Sequence, residues 1–97
     1  MMDDLTGFQR DLLYVIAGMD DPKGLGVSEE LQHAYDNDIN RGRLYPNLDT
    51  LVEKGLVEKG SQNDLTNFYA VTEQGWVAIE VRHEWECQYV DHAAVDD

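Results

Sequence analysis

Residues 40–60, NRGRLYPNLDTLVEKGLVEKG, decide how this chain folds. Leu44, Leu48, Leu51 and Val52 recur at helical spacing, which predicts a helix from near Asn40 to Lys54 with those four side chains buried. Gly55 stands where a left-handed residue closes a helix, and Pro46 falls in the first turn or two, where a missing N–H is tolerated. The stretch from Leu56 to Lys59 then suits a short strand. The same window breaks the charge pattern. It holds four basic residues (Arg41, Arg43, Lys54, Lys59) and three acids (Asp49, Glu53, Glu58), so its net charge is 4 − 3 = +1. The whole chain carries −13, which leaves 3 basic against 17 acidic residues, or −14, for the rest. A cationic patch on an anionic protein points to a polyanionic partner.

Outward from this helix, Ser61 to Thr66 is polar and turn-like, and Asn67 to Val71 reads as a returning strand. These strands predict a hairpin with a loop of about six residues, Phe68 and Ala70 on one face and Tyr69 and Val71 on the other. On the amino-terminal side, Thr6 can cap a helix over 6–18, with Phe8, Leu12, Val15 and Ile16 on one side and Gly18 at its end. Residues 20–24, DDPKG, form a turn cluster. Ser28 is expected to cap a second helix, with Glu29 and Glu30 in its first turn, Leu31 and Tyr35 one turn apart, Val27 packed inward and Asn37-Asp38 at the close. Thr72 caps a last helix, along which Trp76, Ile79, His83 and Val90 mark one stripe. The order is helix, helix, helix, hairpin, helix: an α+β, mainly helical fold of the winged helix-turn-helix type. Residues 1–72 are expected to form the winged-helix domain and 73–90 a carboxy-terminal helix, with 91–97 a frayed acidic tail.

Ninety-seven residues, 42% hydrophobic, suffice for one domain with a small core. No apolar run spans a membrane, and Asp3 and Asp4 leave no room for a signal peptide, so the chain is read as cytosolic. A single cysteine, Cys87, excludes an intramolecular disulfide and a Cys-rich zinc site, and is expected to be half-buried on a helix. Twenty acids against seven bases could signal disorder, but disordered chains lack this regular apolar spacing. Adaptation to molar salt explains the balance better.

The third-helix residues Gly42, Leu44, Tyr45, Pro46, Leu48, Leu51, Gly55, Leu56 and Val57 resemble the PadR family of winged-helix transcriptional regulators, as do Tyr69 and the Thr72-x-x-Gly75 start of the last helix. The similarity runs over residues 6–90. The opening DLTGFQRDLLYVIAG and the later HEWE resemble the small haloarchaeal members, in which one carboxy-terminal helix replaces a longer dimerisation domain. The resemblance implies a homodimer on a roughly palindromic operator in double-stranded DNA, its third helix in the major groove and its wing beside the backbone. It implies a source in a salt-loving archaeon or one of its viruses.

The residues point the same way. With the leucine stripe turned inward, Arg41, Arg43, Asn47 and Thr50 are left to face out, and these types pair with guanine, adenine, phosphate or a thymine methyl. Asn40 and Arg41 at the helix start favour phosphate, and Lys54 completes the basic set. Tyr45 has two readings, a hydroxyl for phosphate or a core position beneath the helix. The competing role for Arg41 and Arg43 is to neutralise Asp36, Asp38 and Asp49. The wing departs from the family pattern: residues 61–67, SQNDLTN, contain no base and one acid, which leaves Gln62, Asn63, Thr66 and Asn67 as hydrogen-bonding candidates.

A dimer of −13 chains carries −26 before it meets DNA. In molar salt the Debye length falls to ~3 Å, so direct contacts decide, and K+ or other salt cations are expected to bridge carboxylates to phosphates. No other cofactor is implied. Phe8, Leu12, Trp76, Ile79, His83, Trp85 and Tyr89 are the expected dimer contacts, with an effector pocket around Trp76, Trp85 and Tyr89 as the alternative. His33, His83 and His92 lack metal-ligand spacing, and no catalytic motif stands out. From a different class, the rival reading is an acidic interaction protein or DNA mimic that modulates a related regulator.

Overall fold

The computed structural model describes residues 2–62 and 66–90; Asn63, His92 and the tail from Asp91 lie outside the described residues. A 3-10 turn at Met2–Asp4, which the sequence did not announce, leads into α1 (Gly7–Ala17), α2 (Gly24–Ala34), α3 (Arg41–Glu53), the antiparallel strands β1 (Val57–Gln62) and β2 (Thr66–Val71), and α4 (Glu73–Cys87).

Three helix starts follow from side-chain caps. Thr6 and Gln9 form a reciprocal capping box on α1. The Asn40 carboxamide oxygen accepts from the Arg43 N–H at 2.8 Å, and Thr72 Oγ1 accepts from the Gly75 N–H at 3.0 Å. At the end of α3, Leu56 N–H donates to Leu51 C=O and Gly55 N–H to Val52 C=O, with Gly55 at φ 76°. This is the Schellman closure that the glycine made legible. Thr72 also donates to the Gly55 carbonyl at 2.6 Å, which ties the start of α4 to the end of α3.

The second helix does not start at Ser28. It starts four residues earlier, Lys23 in the cap position has no side-chain bond, and Ser28 is buried inside α2 with its hydroxyl donating to Leu25 C=O. Tertiary contacts override local propensity here. The Tyr69 N–H donates to Pro22 C=O at 2.9 Å and Lys23 bridges Phe68, so the segment before α2 is held on the free edge of β2. Gly24 then lies under Tyr45, whose ring would stand 2.8 Å from a Cβ at that position. The hairpin also exceeds its expected length. Pairing runs from Val57↔Val71 to Gln62↔Thr66, so three residues, not six, separate the strands. Gly60 leaves room for Phe68, because a Cβ there would stand 2.2 Å from the ring's Cζ.

The core gathers Leu12, Leu13 and Ile16 of α1, Val27 and Leu31 of α2, Leu44, Leu48 and Leu51 of α3, Val57 and Tyr69 of the wing, and Ala78 and Ile79 of α4. Val52 is only partly buried. Of the expected dimer contacts, Phe8 (8% exposed) and Leu12 (0%) fill this chain's own core. The stripe expected on α4 splits for the same reason. Ile79 packs inward, whereas Trp76 and His83 are exposed, and Val90 is exposed beyond the helix end. Cys87 is exposed rather than half-buried, 3.7 Å from His83 Nε2.

Candidate nucleic-acid interface

Burial of Leu44, Leu48 and Leu51 fixes which side of α3 faces away from the core. At about 100° per residue, the positions opposite that stripe are Gly42, Pro46, Asp49 and Glu53, and all four are exposed. The crown of the helix therefore carries two carboxylates and no base. Its basic groups sit at the start and along one flank. Arg41 is exposed at the first turn. Arg43 is exposed on the flank nearest α1, with its guanidinium 3.9 Å above the Phe8 ring. Among the described residues neither arginine forms an ion pair, so neither is consumed by Asp36, Asp38 or Asp49.

Four further candidates on α3 are engaged in ways their exposure alone does not convey. Asn40 caps the helix through its side chain. Asn47 is half-buried: its Oδ1 accepts from Gln9 Nε2 at 2.9 Å, and its Nδ2 donates to Arg43 C=O at 2.7 Å. The Thr50 hydroxyl donates back to Pro46 C=O at 3.0 Å. Lys54 pairs with Asp4 at 3.2 Å, across a surface exposed enough that the bond holds the ammonium only weakly.

Tyr45 takes the core reading in part. Its ring packs on the core and on Gly24, and its edge joins Lys23, Gly24, Leu25, Thr66, Asn67 and Tyr69 around a hollow of about 250 Å³ between α2 and the wing. Thr66 is half-buried there and Asn67 is exposed, while Gln62 lies at the distal end of β1. Sequence reading missed Lys23 and the first N–H groups of α2. No side chain caps those groups, and Gly24 at the first helical position is buried beneath Tyr45. The lysine-glycine pair inside a turn-like cluster was the signal available.

Tyr35 braces the region behind α3. Its ring is 6.2 Å from Phe8 and its hydroxyl donates to the Asp11 carboxylate. Burial first, and that carboxylate second, push its pKa from 10.0 up to about 12.

Trp76, Val77, Val81 and Trp85 of α4, by contrast, are exposed, as are Tyr89 and Val90 just beyond its end. Trp85 stacks with Tyr89 (5.2 Å) and lies under the Arg82 guanidinium (4.5 Å). Among the described residues no helix is long and apolar enough to cross a membrane.

The model of the transcriptional regulator PadR-like family matches residues 12–81. Among solved structures, RosR of H. salinarum in crystals grown from NaBr is 42% identical, with a TM-score of 0.87 over 95% of this chain and 83% of that one. The complex structure of hsRosR-S1 is 44% identical, with a TM-score of 0.86 over 95% and 82%. F93 from STIV, a winged-helix DNA-binding protein, shares the fold at 23% identity, with a TM-score of 0.73 over 92% and 98%. A comparison with curated proteins gave no match.

Proposed function

The chain belongs to the transcriptional regulator PadR-like family, and from that premise we propose that it binds double-stranded DNA as a homodimer, with α3 at the major groove and the wing beside the backbone. The observation that carries this reading is the pair of exposed guanidinium groups of Arg41 and Arg43, without an ion pair among the described residues, at the start and flank of a helix whose leucine stripe is locked into the core. Arg41, Arg43 and Asn47 are the base-reading candidates. Asn40, Tyr45, Thr50, Lys54, Thr66, Asn67 and Lys23 supply phosphate contacts. Gln62 and Asn63 extend the wing's share.

The exposed apolar residues of α4 support the dimer. Gly75, Ala78 and Ile79 close the core, while Trp76, His83 and Trp85 of the same helix, with Tyr89 just beyond it, are left for a second copy. The acidic surface and the likeness to RosR of H. salinarum support action in a salt-rich cytoplasm, where cations taken up by Asp49 and Glu53 screen them from phosphates. Those two outward carboxylates also favour the rival reading, an acidic partner of a related regulator.

Selection of duplexes from a randomised pool in molar KCl separates the two. The proposal expects enrichment of a two-fold symmetric site with half-sites about one helical turn apart. A pool that never converges, together with capture of a homologous regulator, would favour the rival.

A further inference from the structure

The sequence places the reading of DNA on α3, yet the orientation of its one carboxamide reader is set by α1. Gln9 is buried (8% exposed) at the third position of α1. Its Oε1 accepts from the Thr6 N–H at 3.1 Å, its Nε2 donates to Asn47 Oδ1 at 2.9 Å, and Asn47 Nδ2 donates to Arg43 C=O at 2.7 Å. The relay begins at a group that can only donate, a backbone N–H, and ends at one that can only accept, a backbone carbonyl. Neither carboxamide can turn over without setting two acceptors or two donors against each other. One Nδ2–H and one Oδ1 lone pair of Asn47 remain unused. That donor–acceptor pair matches N7 and the N6 amino group of adenine in the major groove.

We infer that Gln9 is a specificity-determining positioning residue: it touches no DNA, and fixes the amide of Asn47 in the sense that reads adenine. The inference rests on the DNA-binding reading proposed above. The neighbouring Phe8 holds Arg43 from the same turn of α1, so this turn braces both side chains on the flank of α3.

The test is Gln9→Glu. Glutamate at this position keeps the capping box and suits the helix dipole, so α1 stays formed. It replaces the Nε2 donor by an acceptor, and Asn47 must turn its Nδ2 toward residue 9. The readout is the ratio of affinities for a duplex selected by the parent protein and for single base-pair variants of it, in molar KCl. Taking a ratio cancels the added charge, because every duplex carries the same phosphates. Gln9→Glu is expected to lower discrimination at one A·T pair by about tenfold, the value of one bidentate amide contact, in a protein that stays folded by circular dichroism. Asn47→Ala is expected to lower it at the same pair, and adding Gln9→Glu to Asn47→Ala to change the ratio no further. If Asn47→Ala lowers the ratio and Gln9→Glu does not, the positioning role of Gln9 is refuted while DNA reading by α3 stands. A ratio that neither substitution alters overturns the inference too, by removing Asn47 as a reader. Failure of the parent protein to bind any duplex would instead strike the DNA-binding proposal itself.

Discussion

Neutralising Asp49 and Glu53 together, as Asp49→Asn with Glu53→Gln, is expected to convert the salt dependence of DNA binding from flat to steep. Each protomer brings two cationic side chains assigned to phosphate, Lys23 and Lys54, hence four in a dimer. Four neutralised phosphates alone give log K against log [KCl] a slope of about −3.6, a loss of several thousandfold per tenfold rise in salt. Each protomer also presents two carboxylates on the outward crown of α3, again four per dimer. Near phosphate, each carboxylate must take up a cation, and four ions taken up offset four released. The parent protein should therefore show a slope near zero. The double variant, freed of uptake, should bind more tightly at low salt and weaken with a slope of about −3 to −4. Anisotropy of a labelled duplex, followed from submolar to multimolar KCl for both proteins, measures this. Equal slopes for parent and variant would refute the reasoning, since the crown carboxylates would then have no part in the ion balance.

Further expectations follow from the packing. Trp85 is 47% exposed and its ring contacts among the described residues are with nearby Arg82 and Tyr89, so Trp85→Glu should leave the fold intact and shift sedimentation from dimer to monomer. An unchanged mass would place the interface elsewhere. Gly60→Ala should expel the Phe68 ring from its seat and cost about 1–3 kcal/mol in denaturant unfolding; a loss within error would show that the ring can move aside. The alkaline limb of stability should depend on Tyr35. Its pKa is raised in the fold, so its contribution is complete below pH 10.0 and declines as pH climbs to about 12. Tyr35→Phe should flatten that part of the stability curve, and an identical curve would remove the Asp11 contact from the account.

Much of this architecture was legible because Thr6, Asn40 and Thr72 each cap a helix whose apolar spacing is regular, and because Gly55 closes α3 in the way its position implied. The start of α2 was not. Gly24 and Gly26 are poor helix formers, and what places the helix there is Tyr45, 21 positions away, together with the Pro22–Tyr69 bond. The wing ran longer than its apolar residues suggested because Ser61, Gln62, Thr66 and Asn67 pair through backbone groups that polarity does not report. At the interface, exposure of Arg41 and Arg43 followed from the leucine stripe, but the crown of α3 was misjudged. Asn47 and Thr50 are drawn into internal bonds, while Asp49 and Glu53 stand outermost. The Gln9–Asn47 bond spans 38 residues and leaves no periodic trace in the chain.

The most direct measurement is the affinity of Arg41→Ala with Arg43→Ala for a selected duplex in molar KCl. Arg43 is itself exposed and gives up a cation–π contact on the Phe8 ring worth about 0.5–1 kcal/mol, so the variant should remain folded. With two guanidinium groups lost from each protomer, binding should fall at least about a hundredfold, given roughly 1–3 kcal/mol for each good contact. A folded variant that binds as tightly as its parent would contradict the account at its root.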